Sequence, residues 1–209
     1  MTPPLDDHDD SDPFAGLGDP VLTTEDERRR LFAVAGAHEY DEARTVGVFH
    51  VTDRARRRRL LTSQYPVHAM AFHPALPLLA VGSGEYDGGY HFEGELLLLN
   101  LETGTAVSLI EGHFGRQVLG LEWLDDQGLR ILMAPPDDWK DRAAHVEGHV
   151  AVVRRSDWAA VAAKSLTGPD LAGPRIPAPR PDQREAARKA VARLRAPSAR
   201  RHGTDGTHR

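Results

Sequence analysis

The chain has 209 residues, of which 40% are hydrophobic and 27% charged, and its formal net charge is −5. It contains no cysteine, which excludes disulfides, thiolate zinc sites and cysteine nucleophiles. It also lacks an apolar run of about 18 residues, so no segment is predicted to cross a membrane as a helix.

Residues 1–27 carry nine acidic side chains and no lysine or arginine. They have too few apolar residues to offset the entropy lost on ordering, so we predict an acidic disordered tail. The first twelve residues have no apolar core, which argues against a secretory signal. We therefore expect a soluble, cytoplasmic protein.

Residues 28–160 read as a series of short strands. In the central part, apolar segments at 67–72, 78–81, 95–100 and 106–110 are separated by turn residues, without a helical stretch among them. Such a pattern is typical of an antiparallel β protein. Earlier in the chain, apolar segments at 31–35 and 46–51 form a similar pair. Later segments at 118–123, 129–133 and 149–153 form another set.

An acidic-aromatic cluster marks each of these three sets. The clusters are Glu39-Tyr40-Asp41, Glu85-Tyr86-Asp87 and Asp137-Asp138-Trp139. The spacing is 46 residues from Glu39 to Glu85 and 51 residues from Asp87 to Asp138. A four-stranded unit that recurs at this spacing is typical of a propeller blade, which buries its faces only against neighbouring blades.

The central copy resembles the WD40 family. Gly112-His113 precedes the strand at 118–123, where WD40 repeats often have a Gly-His pair. The segment 69–74 ends in Phe72-His73-Pro74, similar to the inner strand of that family, and 97–104 ends in a Thr-Gly turn. The resemblance covers about 130 of the 209 residues. It implies an all-β fold of about three antiparallel four-stranded WD40-like blades, a partial propeller.

Several features depart from that family. The usual Trp-Asp pair is replaced by Leu99-Asn100, and the segment between the second and third strands, residues 84–94, is predicted as a long loop. The first copy lacks an inner strand. Closed propellers have four to eight blades, so three blades leave two open faces. Large apolar patches usually mark interfaces, so we expect a protein partner or self-association through the open blade faces.

Residues 161–209 are predicted to form a Pro/Ala/Arg-rich tail. Within it, Ala187, Val191 and Leu194 fall at helical spacing, which predicts a short helix within residues 180–196. From residue 175 onward there are ten basic and three acidic residues. Without interleaved aromatic residues, this charge favours a solvated tail over a nucleic-acid-binding segment.

The three acidic-aromatic clusters are the candidate binding surface, because equivalent loops of stacked blades lie on one face. Two interpretations stay open. Their carboxylates either bind a cation or a basic peptide, or they stay solvated while the aromatic side chains pack over the hairpins.

The predicted function is a non-catalytic WD40-like protein-interaction module without a cofactor or catalytic residues. The alternative is an enzyme or a metal-binding propeller that uses the same loop carboxylates. His145 and His149 lie in a segment predicted as a loop entering a strand, so they do not share a helical face that would favour zinc.

Overall fold

The computed structural model of the chain describes residues 14, 16–38, 42–51 and 59–195. In this part, twelve strands form three four-stranded sheets, followed by one α-helix. Within each sheet the strands follow the chain order and pair antiparallel. Each sheet is therefore a meander, as the repeated strand pattern predicts.

The first sheet contains many small residues. Its strands are β1 (Asp19–Asp26), β2 (Leu31–Ala37), β3 (Thr45–His50) and β4 (Arg59–Thr62). All residues of β2 after Leu31 are buried, which shows that both faces of this strand are covered. Ala33 and Ala35 of β2 face the second sheet and allow it to approach closely.

The second sheet lies between the other two. Its strands are β5 (Val67–Phe72), β6 (Leu78–Tyr86), β7 (Phe92–Asn100) and β8 (Ala106–Ser108). Leu79, Leu97 and Leu99 pack against the first sheet. Ala80, Leu96 and Leu98, on the opposite face, pack against the third sheet. Burial on both faces explains why β6 and β7 read as nearly continuous apolar runs.

The third sheet shows the alternation of a sheet with one covered face. Its strands are β9 (Val118–Trp123), β10 (Gly128–Met133), β11 (Glu147–Arg154) and β12 (Arg175–Pro177). Leu129, Ile131 and Met133 of β10 face the second sheet, while Arg130 is exposed on the other side. The period-2 pattern therefore identifies the inner face directly.

The first strand of the second sheet, β5, contacts the first strands of the other two sheets, β1 and β9. The sheets are thus stacked as propeller blades are, each packed on its neighbour. The all-β fold with about three four-stranded antiparallel blades, predicted from the sequence, is confirmed.

The outer face of the first sheet is covered by α1 (Arg184–Arg195). Ala190 and Val191 of this helix pack on Phe32 of β2, together with Phe14 and Leu17 from the start of the described chain. The predicted short C-terminal helix is confirmed. In the part of the chain that the structure describes, no helix is long and apolar enough to cross a membrane.

The predicted boundary at residue 27 is wrong, because β1 lies within the segment expected to be a disordered tail. β1 pairs with β2 along its length and supplies the inner strand that the first copy was expected to lack. Leu22 is its buried core residue. Its acids have partners in the fold: Asp19 pairs with Arg188, and Asp26 with Arg29. A count of acidic residues in the sequence does not show that these charges are paired in the folded chain.

The boundary at residue 160 differs as well. Trp158, Leu166 and Leu171 are buried against the third sheet, and β12 adds its fourth strand. The segment 84–94 is also not a long loop. β6 extends to Tyr86 and β7 begins at Phe92, so that Glu85 and Tyr86 lie in a strand.

Candidate functional site

The hairpin between β6 and β7 places the second acidic-aromatic cluster. Asp87 Oδ1 accepts hydrogen bonds from the backbone amides of Gly89 (2.7 Å), Tyr90 (3.0 Å) and His91 (3.0 Å). Gly88 takes a φ of +76°, which glycine adopts without strain. The amide hydrogen bonds, that of Gly89 first, lower the pKa of Asp87. Asp87 is therefore an ionised turn residue that fixes the hairpin tip.

The loop between β10 and β11 places the third cluster. Asp137 Oδ1 accepts a hydrogen bond from the amide of Trp139 at 3.0 Å. Asp138 Oδ2 lies 3.0 Å from His145 Nε2 in the same loop. The hydrogen bond from His145, followed by one from Tyr86, lowers the pKa of Asp138. Asp137 therefore holds the backbone of this loop, and Asp138 holds the His145 side chain against it.

The structure joins these two clusters directly. The hydroxyl of Tyr86 donates to Asp138 Oδ2 at 2.9 Å. The amide of Asp138 donates to the carbonyl of Tyr90 at 3.0 Å, and that of Phe92 donates to Pro136 at 3.2 Å. Burial and the hydrogen bond to Asp138 raise the pKa of Tyr86, which stays protonated as the donor. The hairpin of the second sheet and the loop of the third thus form one continuous structure.

A group of aromatic rings packs together beneath the exposed surface of this junction. The Phe92 ring is fully buried, and its centroid lies 5.1 Å from both Tyr86 and His145. The rings of Tyr86 and His145 are 5.0 Å apart. The guanidinium of Arg180 lies 5.6 Å from the Phe92 centroid. These contacts fix the backbone on which the exposed side chains stand.

The exposed part of the junction is aromatic. Tyr90, Phe114 and Trp139, which we call the aromatic surface, are 52%, 61% and 57% exposed. The rings of Tyr90 and Trp139 meet edge to face with centroids 4.8 Å apart. The ring of His91 contacts Phe114 at 6.0 Å. Large aromatic side chains are rarely exposed in such a group unless they contact another molecule.

The remaining candidate residues lie elsewhere. Glu85 forms an ion pair with Arg44 at 3.0 Å, on the side facing the first sheet. Glu39, Tyr40 and Asp41, the first cluster, lie outside the described residues. Among the residues that the structure describes, no group of three His, Asp or Glu side chains could hold a metal ion.

The predicted site did not include three residues that lie here: Tyr90, Phe114 and His145. The sequence around Tyr90 and Phe114 indicates that their side chains are exposed. Tyr90 follows Gly88-Gly89, and an aromatic residue at the tip of a glycine-rich turn has few neighbours to bury it. Phe114 follows the Gly-His pair in a turn. The bond from His145 to Asp138 could not be predicted, because it depends on how the loop folds back.

The histidines of the WD40-like pattern take unequal roles. His113 is exposed, with its ring 4.3 Å from Phe114. His73 is fully buried: its Nδ1 accepts amide hydrogen bonds from Ala75 and Leu76, and its Nε2 lies 3.0 Å from the Asp126 carbonyl. A buried polar connection between two sheets therefore exists at His73, and not at the Gly-His pair.

No family model matches the chain, and no curated protein matches it in sequence. Similar solved structures include the β-propeller domain of the Trilobed protease from Pyrococcus furiosus. It is 14% identical over 80% of this chain and 45% of that chain, with a TM-score of 0.45. Raptor from Chaetomium thermophilum is 10% identical over 77% of this chain and 17% of that chain, with a TM-score of 0.30. The chain thus spans less than half the length of either structure.

Proposed function

We propose that this chain is a non-catalytic, WD40-like interaction module that binds a protein partner through the aromatic surface of Tyr90, Phe114 and Trp139. The observation that supports it most is the exposure of three large rings: Tyr90 and Trp139 on two loops that hydrogen bonds join across two sheets, and Phe114 on the segment before β9. Aromatic side chains are enriched in the buried centres of protein interfaces and supply much of their binding energy.

The backbone beneath these rings favours binding. Asp87 holds the hairpin tip, and Asp137 and Asp138 hold the loop opposite. A partner would therefore order mainly side chains, and binding would cost little loop entropy. A ring pair such as Tyr90 and Trp139 also presents a broad apolar area with few rotatable bonds.

In this proposal the acidic side chains hold the loops that carry the exposed rings. Glu85 is paired with Arg44, Asp87 accepts three amide hydrogen bonds, and Asp138 accepts from Tyr86 and His145. A catalytic or metal-binding role would require these carboxylates to leave such partners, so the enzyme alternative has less support. A cytoplasmic location and self-association stay predictions of the sequence.

A site-specific photo-crosslink tests the proposal. A benzophenone amino acid replaces Tyr90 in one variant and Leu60, an exposed residue at the edge of the first sheet, in the control. We expect a discrete adduct, formed under illumination in cells producing the full chain, from position 90 only. Adducts of the same mass and yield from both positions would contradict the proposal.

Alanine variants then measure the contribution of the rings. With the partner recovered from that adduct and purified, we expect Trp139→Ala combined with Tyr90→Ala to weaken binding by about 2 kcal/mol or more, as for residues at an interface centre. Leu60→Ala serves as the matched control. Unchanged affinity in the double variant would contradict a role for the aromatic surface.

A further inference from the structure

A cavity lies on the third sheet, beside the aromatic surface but separate from it. Its volume is about 260 Å³, and it is bounded by the chain entering β9, the end of β10, the start of β11 and the segment 168–173. Among the described residues that line the cavity, Arg116 is the one arginine or lysine, and none is acidic.

Arg116 has a guanidinium without a partner. Its backbone amide donates to Phe92 at 3.0 Å, which fixes the residue in place. The guanidinium makes no hydrogen bond or ion pair with any residue in the described part of the chain. By contrast, Arg44 pairs with Glu85 and Arg155 with Asp170 at comparable partial burial. Five N–H donors at the edge of the cavity are thus available to a ligand.

Two acids near the cavity wall, Asp170 and Glu147, are paired with other groups. Asp170 belongs to the short 3-10 turn Pro169–Leu171 in the cavity wall. Its carboxylate accepts hydrogen bonds from the Thr167 amide and hydroxyl, both at 2.9 Å, and from Arg155. Glu147 pairs with Arg175 on the neighbouring strand. Neither carboxylate lines the cavity, so the positive charge there is not neutralised from within.

Glycines keep the cavity open. A Cβ built on Gly168 would lie 3.3 Å from Arg116 Nη2, closer than an ordinary contact. A Cβ on Gly115, whose φ is +67°, would lie 2.9 Å from Pro136 Cβ. His149 Nδ1 lies 3.2 Å from the Gly173 carbonyl, which orients its ring on the opposite wall. Small residues therefore leave room in front of the guanidinium.

We propose that this cavity binds an oxyanion, a carboxylate or a phosphate group, through the guanidinium of Arg116. The planar fork of an arginine matches two oxygens of such a group and forms paired, charge-assisted hydrogen bonds. The proposal is independent of the aromatic surface and of any protein partner.

Nuclear magnetic resonance of the 15N-labelled full chain tests this pocket. Sodium phosphate and sodium acetate are titrated separately, each against sodium chloride at the same ionic strength. We expect the arginine Nε–Hε resonance that is missing in Arg116→Gln to shift and saturate with at least one oxyanion. Phosphate alone, acetate alone or both then identifies the ligand class.

The backbone amides of Gly168 and Gly173 provide a second signal that every variant retains. In wild type they are expected to shift with the same saturation curve, and in Arg116→Gln to lose that response. Arg142→Gln removes an equal charge from an exposed arginine without a partner among the described residues and keeps the response. A linear, non-saturating change with both anions, or an identical response in Arg116→Gln, would overturn the proposal.

Discussion

The two junctions between the sheets are built from different side chains. Between the first and second sheets the core includes Ala33 and Ala35, and the hydrogen bonds across it come largely from arginines. Arg29 donates to the carbonyls of His73 and Leu76, and Arg59 donates to that of Glu102 at 2.9 Å. Long cationic side chains there connect the first sheet to backbone carbonyls of the second.

Between the second and third sheets, hydrogen bonds from aromatic rings connect the two sheets. Trp123 Nε1 donates to the Ala71 carbonyl at 3.1 Å, His73 bonds to Asp126, and Tyr86 bonds to Asp138. Leu96, Ile131 and Trp158 are fully buried in the core of this junction. Rings on these sheets lose less conformational freedom than arginines when they form such contacts.

The aromatic surface stands on the second and third sheets, whose junction buries the large rings of Phe92 and Trp158. The first sheet is held from the other side by α1, whose buried residues are mostly alanines. Regions with fewer large buried contacts open more readily. We therefore expect the first sheet to open before the other two separate.

The largest effect is expected in the core between the second and third sheets. Ile131→Ala removes a fully buried side chain and leaves a cavity, so we expect a loss of about 3 kcal/mol in the free energy of unfolding. Val152→Ala, at a half-exposed position on the outer face of the same sheet, should lose about 0.5 kcal/mol or less. Urea unfolding measures both. Equal losses would mean that the core is not where the sequence pattern places it.

Substitution of an arginine between the first and second sheets should lower the free energy of unfolding less, and its effect should be confined to the first sheet. Arg29→Ala removes the guanidinium from Asp26 and from the His73 and Leu76 carbonyls, and we expect a loss of about 1–3 kcal/mol. Hydrogen exchange should accelerate in β1 and β2 but not in β9 and β10. Arg130→Ala, which removes only an exposed pair with Glu122, is the control. Uniform acceleration across all three sheets would contradict a separately opening first sheet.

Acidification should act mainly on the second sheet and its contact with the third. Burial lowers the pKa of both His68 and His73. The unfolded chain then takes up protons first, near its ordinary pKa of about 6.5, so stability falls as the pH drops below that value. Each group contributes at most about 1.4 kcal/mol per pH unit. His73→Asn should reduce this slope, and a slope equal to that of wild type would contradict the assignment.

The smallest effect concerns the helix that covers the first sheet. Arg188 donates to Asp19 at 2.9 Å, and this hydrogen bond is the main cause of the lowered pKa of Asp19. Because the pair is exposed, Arg188→Gln should lower the melting temperature only slightly at low salt. The difference should vanish near about 1 M sodium chloride, where screening is nearly complete. A difference that persists at high salt would indicate packing by the arginine stem.

Period-2 patterns and turn residues predict most of the fold. The bounds of β5 and β9 match the sequence prediction because apolar residues and turns delimit them. The sequence pattern did not predict β1, because Leu22 is the one residue of this strand that is buried in the core. Backbone hydrogen bonds to β2 hold the rest of the strand. Two of its acids, Asp19 and Glu25, pair with Arg188 and Arg193 far along the chain, which local composition does not reveal.

The sequence pattern placed Tyr86 and Asp138 in equivalent positions of two blades, and the structure joins them by a hydrogen bond. That these loops bind a partner stays a prediction. The prediction assigned binding to the carboxylates, whereas Asp87 and Asp138 are engaged within the loops. Whether an acid caps a turn depends on backbone geometry that the sequence does not specify. The exposed rings of Tyr90 and Phe114 become visible only when the loops are folded.

The central claim is that the aromatic surface is held in place before any partner binds. The most direct measurement is 15N relaxation of the free chain, read at the backbone amides of Tyr90 and Trp139. Rigid backbone has an order parameter of about 0.85 and flexible loops fall below about 0.6. We predict values at both positions close to those of β6. Values in the flexible range, while β6 stays rigid, would contradict the account.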